Sequence, residues 1–372
     1  MNSRFSALLR QKKTKKADGT SIQKHVLEYN PNGHQTRDTY TGIDADQKTV
    51  NTVSTYDYDP RDRLIGYQKT GTQTAKESYV LDPNNNLVEK VKDGLKSTYR
   101  YDHNQLISET KDGVTSEYRY DPLGRLEQVM ANGATQESYQ YDPFDRITEH
   151  QKLDQNGKAL KTHYQYDSFD RTIAKIEQAG SNSEKTIDYH YLVDTDQLTS
   201  ESVQNQVQRS YTYDIWGKRT AMHHQQKNER SYYQYDVRGN VEQLTSEQGD
   251  LRATYGYTPY GEADSNAFSG LDKPDANSPN PEAYNLYRFG GKRWDAQTES
   301  YDLGFRSYYP EQGRFFTSDS YTGASANMGL AQDPLNNNLY GFAAANPISY
   351  TDRDGHFVAG SGGECAVCGT ST

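Results

Sequence analysis

Cys365 and Cys368 carry the most reactive side chains of this 372-residue chain, and the Ala-Val between them gives the spacing of half a zinc site or of a redox dithiol. A structural zinc site needs four ligands, and only His356 stands near enough in sequence to add a third. The pair therefore reads as two ordinary thiols on a polar tail, residues 357–372, too short to bury a core of its own. No Ser-His-Asp pattern, phosphate-cradling glycine loop or cluster with metal-ligand spacing occurs elsewhere, so neither metal nor other cofactor is expected. His223-His224 lies in a strand-like stretch and reads as surface. Two chemistries remain. Tyrosines such as Tyr139 and Tyr141, two apart, would stack on sugars if one strand face presented them. The carboxylates of Asp352-Arg353-Asp354-Gly355 lie close together, with a guanidinium beside Asp352 that favours its charged form.

Whatever positions these groups is not an ordinary oily domain. Hydrophobic residues, Tyr included, make up 33% of the chain, against roughly 45–50% on a similar residue set in average domains. Yet 12% aromatics is far too many for a disordered chain, and 32 of them are Tyr against 10 Phe and 2 Trp. The expectation is an ordered, thin-cored architecture. A formal charge of −10 argues against nucleic acid as partner, and no apolar run reaches the ~18 residues of a membrane span. The N-terminus lacks the pattern of a secretory signal, and "RQKKTKK" at 10–16 reads as part of a solvated tail, residues 1–25.

The elements announce themselves by repetition. "YRYDPLGRLEQV" at 118–129 returns as "YQYDPFDRITEH" at 139–150 and "YQYDSFDRTIAK" at 164–175. The Asp after the second Tyr marks the unit: Asp59, Asp102, Asp121, Asp142, Asp167, Asp214 and Asp236. Degenerate copies carry Asp82, Asp194 and, in Asp's place, Thr258, and a weaker copy starts at "YNPNG", 29–33. Successive markers lie 19 to 27 residues apart. Each unit reads as strand, turn, strand, turn. Asp opens a type I turn, with Pro following in Asp142-Pro143 and Gly closing in Asp121-Pro122-Leu123-Gly124. Asp93-Gly94, Asp112-Gly113, Asn132-Gly133 and Asn156-Gly157 close the other end as tight hairpins. The Arg after the turn (Arg125, Arg146, Arg171, Arg219) is placed to pair with Asp or to lie over a Tyr ring. The fold class is all-β, a long antiparallel meander; Tyr suits it by combining β preference with a hydroxyl that tolerates water near either face.

These units resemble the YD repeats of RHS (rearrangement hotspot) proteins, a bacterial family that includes toxin C components and cell-wall-associated toxins. The resemblance covers repeats over 26–263, followed by a Ser/Asn/Asp/Pro-rich boundary at 264–283. Residues 284–356 resemble the RHS-associated core, with "GRF" at 313–315, "NLYGF" at 338–342, "NP" at 346–347 and then "DRDG". The resemblance implies a partial hollow shell of repeats, closed at one end by the core, that encloses a toxin. It also implies a secreted or cell-surface protein.

Relatives of this core cleave themselves just after it with two aspartates, each from an Asp-Pro-any-Gly motif. The chemistry asks one carboxylate to activate water and one carboxylic acid to assist the carbonyl. Anchored on "GRF", the two motifs fall on Asp319 and Asp352, with Asp333 as a substitute for the first, and the implied cleavage is between His356 and Phe357. Both matched motifs lack their Pro. Three readings follow: a structural shell module without a toxin domain of its own; an autoproteolytic aspartic peptidase; and a surface adhesin whose Tyr ladder binds glycans. The partners implied are an enclosed toxin, another RHS chain or a second copy, since an open arc exposes edge strands.

Overall fold

The computed structural model describes residues 8–16, 18–154, 156–274, 283–319, 338–356 and 358–360. The turn at Asp142 shows how the chain reverses. Asp142 N–H donates to the Arg146 carbonyl at 3.0 Å, and Asp145 N–H donates to the Asp142 carbonyl at 3.2 Å. One carboxylate oxygen of Asp142 accepts the N–H groups of Phe144 and Arg146 at 2.8 and 3.1 Å. Asp145 closes the loop in the left-handed region, φ 65, where the equivalent position of the neighbouring unit holds Gly124. This is a three-residue hairpin loop, a type I turn followed by a left-handed residue. Asp59, Asp82, Asp121, Asp167, Asp214 and Asp236 repeat the carboxylate pattern. Asn30 does the same with its amide oxygen, which makes "YNPNG" a unit.

Three positions differ from the sequence reading. Asp102 sits before a two-residue turn, His103 and Asn104 both left-handed, and its carboxylate faces the His103 ring at 2.8 Å instead of organising backbone. In the degenerate unit the turn opens at Leu192, whose carbonyl accepts from Thr195 N–H, so the marker place belongs to Leu192 and not Asp194. Asn156-Gly157 is no two-residue turn: Asp154 opens it, accepting from the N–H groups of Asn156 and Lys158. Asp93-Gly94, Asp112-Gly113 and Asn132-Gly133 do have both residues at positive φ, as a type I′ hairpin requires.

Twenty-three strands form one antiparallel sheet, each bonded to its neighbour in sequence, from Gln11–Lys15 to Ser269–Gly270. The basic N-terminal stretch is thus strand and not tail: Gln11–Lys15 pairs with Ser21–Tyr29, which pairs with Gln35–Ile43. The right-handed twist coils so long a sheet until its two ends meet. They meet through side chains: His25 bonds Glu242 at 2.9 Å, Lys69 bonds Asp264 at 2.6 Å, and Ala45 N–H donates to Ser269 Oγ at 2.9 Å. No backbone ladder joins the two ends among the described residues.

Arg and Tyr hold unit to unit. Arg146 donates through Nε to its own Asp142 at 2.7 Å and through Nη1 to the carbonyl of the next marker, Asp167, at 3.0 Å. Its guanidinium lies 4.8 Å over the next Tyr166 ring. Arg125 does the same over Tyr141. Arg171 pairs with Asp167 and covers Tyr191, but its Nη1 donates to the Val193 and Thr195 carbonyls of the next turn. Arg219 does not. It lies one place further on and turns inward over Tyr287 at 3.1 Å, while Lys218 takes the outer role over Tyr235.

In eight units the second Tyr donates to a carbonyl on the adjacent strand, at 2.6–2.9 Å: Tyr58, Tyr101, Tyr141, Tyr166, Tyr191, Tyr213, Tyr235 and Tyr257. Tyr120 is the exception, its buried hydroxyl making no such bond. The first Tyr points into the concave face and is buried; Tyr118 and Tyr139 there donate to Glu109 and Glu137 at 2.7 and 2.8 Å. Phe would remove one donor from each carboxylate, leaving Glu109 to Gln312 and Glu137 to Lys152 and His150. The hydroxyls are not kept for water, as the sequence suggested, but are satisfied inside the protein.

What fills the concave face is the C-terminal segment. Its short sheet, Arg293–Asp295, Ser300–Asp302, Ser307–Tyr309 and Arg314–Phe315, is followed by the hairpin of Tyr350–Asp352 with Val358–Gly360. Phe289, Tyr301, Tyr308, Phe315, Phe342 and Ile348 pack in one cluster with Tyr79, Leu106, Tyr118, Leu126 and Tyr139 of the repeats. Tyr308 and Phe342 stack at 3.8 Å. Between the first and last strands there remains a polar cavity of about 110 Å³, lined by His25, Asp38, Tyr40, Arg238 and Glu242.

Candidate self-processing site

Arg306 organises the C-terminal hairpin. It precedes the strand Ser307–Tyr309, is buried, and lies 3.7 Å over the Phe315 ring. Its guanidinium donates to Asp319 Oδ2 at 3.0 Å, to the Leu339 carbonyl at 2.8 Å and to the Gly355 carbonyl. Asp319 N–H donates to the Leu339 carbonyl at 3.0 Å, which fixes the backbone carrying that carboxylate. The other Asp319 oxygen meets His356 Nδ1 at 2.7 Å, and Phe305 lies against the His356 ring at 4.4 Å.

Asp352 ends the strand Tyr350–Asp352 and pairs with Val358 of the facing strand, so 353–356 lie in the connection between them. Asp352 Oδ1 accepts Gly355 N–H at 2.8 Å. Gly355 has φ +94, and a Cβ there would come within 3.0 Å of Arg306 N, so only glycine lets the turn close on the arginine. Asp352 is buried, and burial pushes its carboxyl up to about 6. Asp354 and Asp319 push the same way, while Arg306 and Gly355 N–H work against it. Burial pulls Arg306 below its usual range, opposed by Asp319, Asp352 and Asp354.

The pair is therefore unequal. Asp319 receives a charge-assisted bond from a guanidinium, whereas Asp352 keeps its proton well above the usual carboxylate range. That is the division of labour an aspartic-type hydrolysis requires: one group to draw a proton from water, one to give a proton to the carbonyl. Asp319 meets His356, and Asp352 begins the connection that carries it.

The structure brings Asp319, Asp352 and His356 together. Asp333, Phe357, Cys365 and Cys368 lie outside the described residues. Arg353, the guanidinium adjacent in sequence, is exposed; the one that acts on Asp352 is Arg306. Nothing in the letters around Arg306 distinguishes it from the other arginines. The Tyr ladder is no sugar platform: Tyr139 is 4% exposed, and Tyr141 is spent on the Leu126 carbonyl and the Arg125 guanidinium. His224 is likewise buried, stacked on Tyr284 at 5.3 Å. Among the described residues no group of three or more His, Cys, Asp or Glu could hold a metal ion, and no helix is long and apolar enough to cross a membrane.

Comparison with known proteins agrees with this architecture. The chain is 26% identical over 352 residues to the tRNA3(Ser)-specific nuclease WapA of Bacillus spizizenii, covering 92% of this chain and 11% of that protein. It is 26% identical over 350 residues to the tRNA nuclease WapA of Bacillus subtilis, again spanning 11% of its length. Among solved structures, TcdB2-TccC3 aligns over 93% of this chain and 22% of its own, at 18% identity and TM-score 0.43. The Photorhabdus luminescens Tc holotoxin pore aligns over 97% and 21%, at 17% identity and TM-score 0.44. The Teneurin YD-shell model matches residues 11–348, which takes in every strand of the long sheet and most of the core, and the chain, an RHS/YD-repeat shell, belongs to that family.

Proposed function

We propose that this chain is the closing section of an encapsulating shell in an RHS-type toxin system, acting at the cell surface or outside the cell. The observation that carries this reading is the way the sheet wraps polypeptide: aromatic side chains of successive units converge on Phe289, Tyr301, Tyr308, Phe315, Phe342 and Ile348 and bury them. A sheet whose inner face already packs on chain is suited to sequester the segment that follows the core. The partner is then a toxin polypeptide, whose identity the shell does not dictate. Limited proteolysis tests the shell: a resistant fragment reaching from about residue 8 to residue 356 is expected. Early cuts inside the repeats would rule it out.

A second reading is favoured by the unequal carboxyls of Asp319 and Asp352 beside residues 353–356: self-cleavage after His356 by water, with no cofactor. Attack by water on the His356 carbonyl, with the proton passing to Asp319, and proton donation from Asp352 breaks the bond to Phe357. Intact-mass measurement after incubation is expected to show a fragment beginning at Phe357. A single intact species at every pH would dismiss this reading and leave the shell standing.

A further inference from the structure

The tips of five consecutive units, which carry no part of the core or the carboxylate site, present large apolar side chains to solvent. Leu123, Phe144, Phe169, Val193, Ile215 and Trp216 are 58–89% exposed. Leu123, Phe144, Phe169 and Trp216 occupy one position, the second residue after the turn-opening Asp. Successive tips on one rim are two strand spacings apart, roughly 10 Å, so the row runs for about 40 Å. The row has ends: the corresponding tips hold Arg61, Asn84 and Asn104 on one side and Arg238 on the other. On the opposite rim the exposed large apolar side chains are Leu95, Val114 and Val207, at 41–60%, with no aromatic among them.

Two observations set this rim apart from incidental exposure. Arg146 lies 5.0 Å over Phe144 and Arg171 lies 5.0 Å over Phe169, so each ring is held rigid on one face and bare on the other. On the fourth of the five tips Val193 adopts φ 46, a conformation that β-branched residues avoid. That strain points the valine outward at 79% exposure. Side chains of this size bury about 150–250 Å² each when aromatic, so the row offers roughly 900 Å² of apolar surface. Monomers rarely leave more than about 300–600 Å² in one patch, whereas a stable interface takes about 800 Å² from each partner.

We propose that this rim is a self-association surface whose occupant is the same rim of a second copy of the chain. Ridges at a fixed spacing interlock with ridges of equal spacing, and a second copy supplies that period without adjustment. A two-fold axis near Phe169 and Val193 lets each tip enter a gap of the other row, an isologous contact with the polar tips as its border. An anionic membrane is the poorer occupant, because the chain carries −10 and an Asp stands at most of these tips.

Sedimentation equilibrium of the full chain over a range of concentrations tests this. Wild type is expected to dimerise, and Phe169→Asp or Trp216→Asp to raise the dimer dissociation constant at least tenfold with unchanged far-UV dichroism. Val193→Asp, which also relieves the strained backbone, is expected to do the same while remaining folded. Leu95→Asp, on the opposite rim, is expected to leave the dimer intact. A wild-type monomer at every concentration would overturn the proposal, as would a dimer indifferent to Phe169→Asp, Val193→Asp and Trp216→Asp or equally weakened by Leu95→Asp. So would monomer binding to phosphatidylcholine vesicles that Trp216→Asp abolishes, which would assign the rim to lipid.

Discussion

Asp142 in the repeats and Asp352 in the core are the same residue put to opposite ends. Burial alone would raise the Asp142 carboxyl, but Arg146 and the N–H groups of Arg146 and Phe144 outweigh it and hold the carboxyl below its usual range. Asp352 has one backbone donor, Gly355 N–H, and a guanidinium mainly engaged elsewhere, so burial wins and the carboxyl rises to about 6. A carboxylate supplied with all its donors is architecture; one deprived of them is a store of reactivity. The difference lies in the supply of donors and not in depth alone, because Asp236, its side chain 10% exposed, is still lowered, with Arg238 and Asn240 at hand.

The comparison breaks most visibly at the cleavage chemistry. Asp319→Asn removes the proton acceptor while keeping its shape, and self-cleavage measured by intact mass is expected to fall at least a hundredfold. Asp142→Asn is expected to leave the cleavage rate unchanged in protein that remains folded. With Asp352 as the proposed acid, self-cleavage is expected to slow as pH rises through about 6.

Stability sharpens the same contrast through its sign. Burial raises the Asp352 carboxyl from its ordinary 3.8 to about 6 in the folded chain, so the folded state holds the proton more tightly. Its contribution is full below pH 3.8 and is lost as pH rises through 6, by about 3 kcal/mol. Asp352→Asn should therefore stabilise the protein by up to about 3 kcal/mol at pH 8 and by nothing at pH 3.5, read by urea unfolding. Asp142→Asn should do the reverse: its charge pair stabilises above the ordinary carboxylate range and is lost as pH falls through the lowered folded value.

How much of this was written in the letters depends on how local the cause is. The Asp142 turn was legible because its donors lie within four residues, and Leu192 was mistaken because its unit lacks the Asp that advertises the place. The filled concave face was not legible. Tyr counts as half-polar on any scale, and only the structure shows that Tyr118 and Tyr139 satisfy their hydroxyls on buried Glu109 and Glu137 and so behave as core. Asp319, Asp352 and His356 came from resemblance to a family motif. Arg306 escaped because its partners lie 13 to 49 residues away in sequence.

Within the repeats the expected effects grade downward. Arg146→Ala removes the charge pair with Asp142, the tie to the Asp167 carbonyl and the cover of Tyr166, and should destabilise by about 2 kcal/mol. Arg146→Lys should recover little of it, because an ammonium cannot make those contacts at once. Tyr141→Phe loses one hydroxyl bond and strands the Leu126 carbonyl, for about 1 kcal/mol. Denaturant midpoints check both, and equal losses from all three variants would mean that the unit-to-unit tie is not what holds the sheet.

Asp102→Asn marks the bottom of the scale and isolates the cause. By sequence Asp102 is a repeat marker like Asp142, yet its carboxylate is 67% exposed and meets only the exposed ring of His103. Its turn is fixed instead by the left-handed pair His103 and Asn104. An exposed pair of this kind contributes close to nothing, so the substitution should stay within about 0.5 kcal/mol of wild type across the pH range. A large loss would show that the marker aspartates act through something other than the donors they collect, and the contrast between Asp142 and Asp352 would lose its explanation.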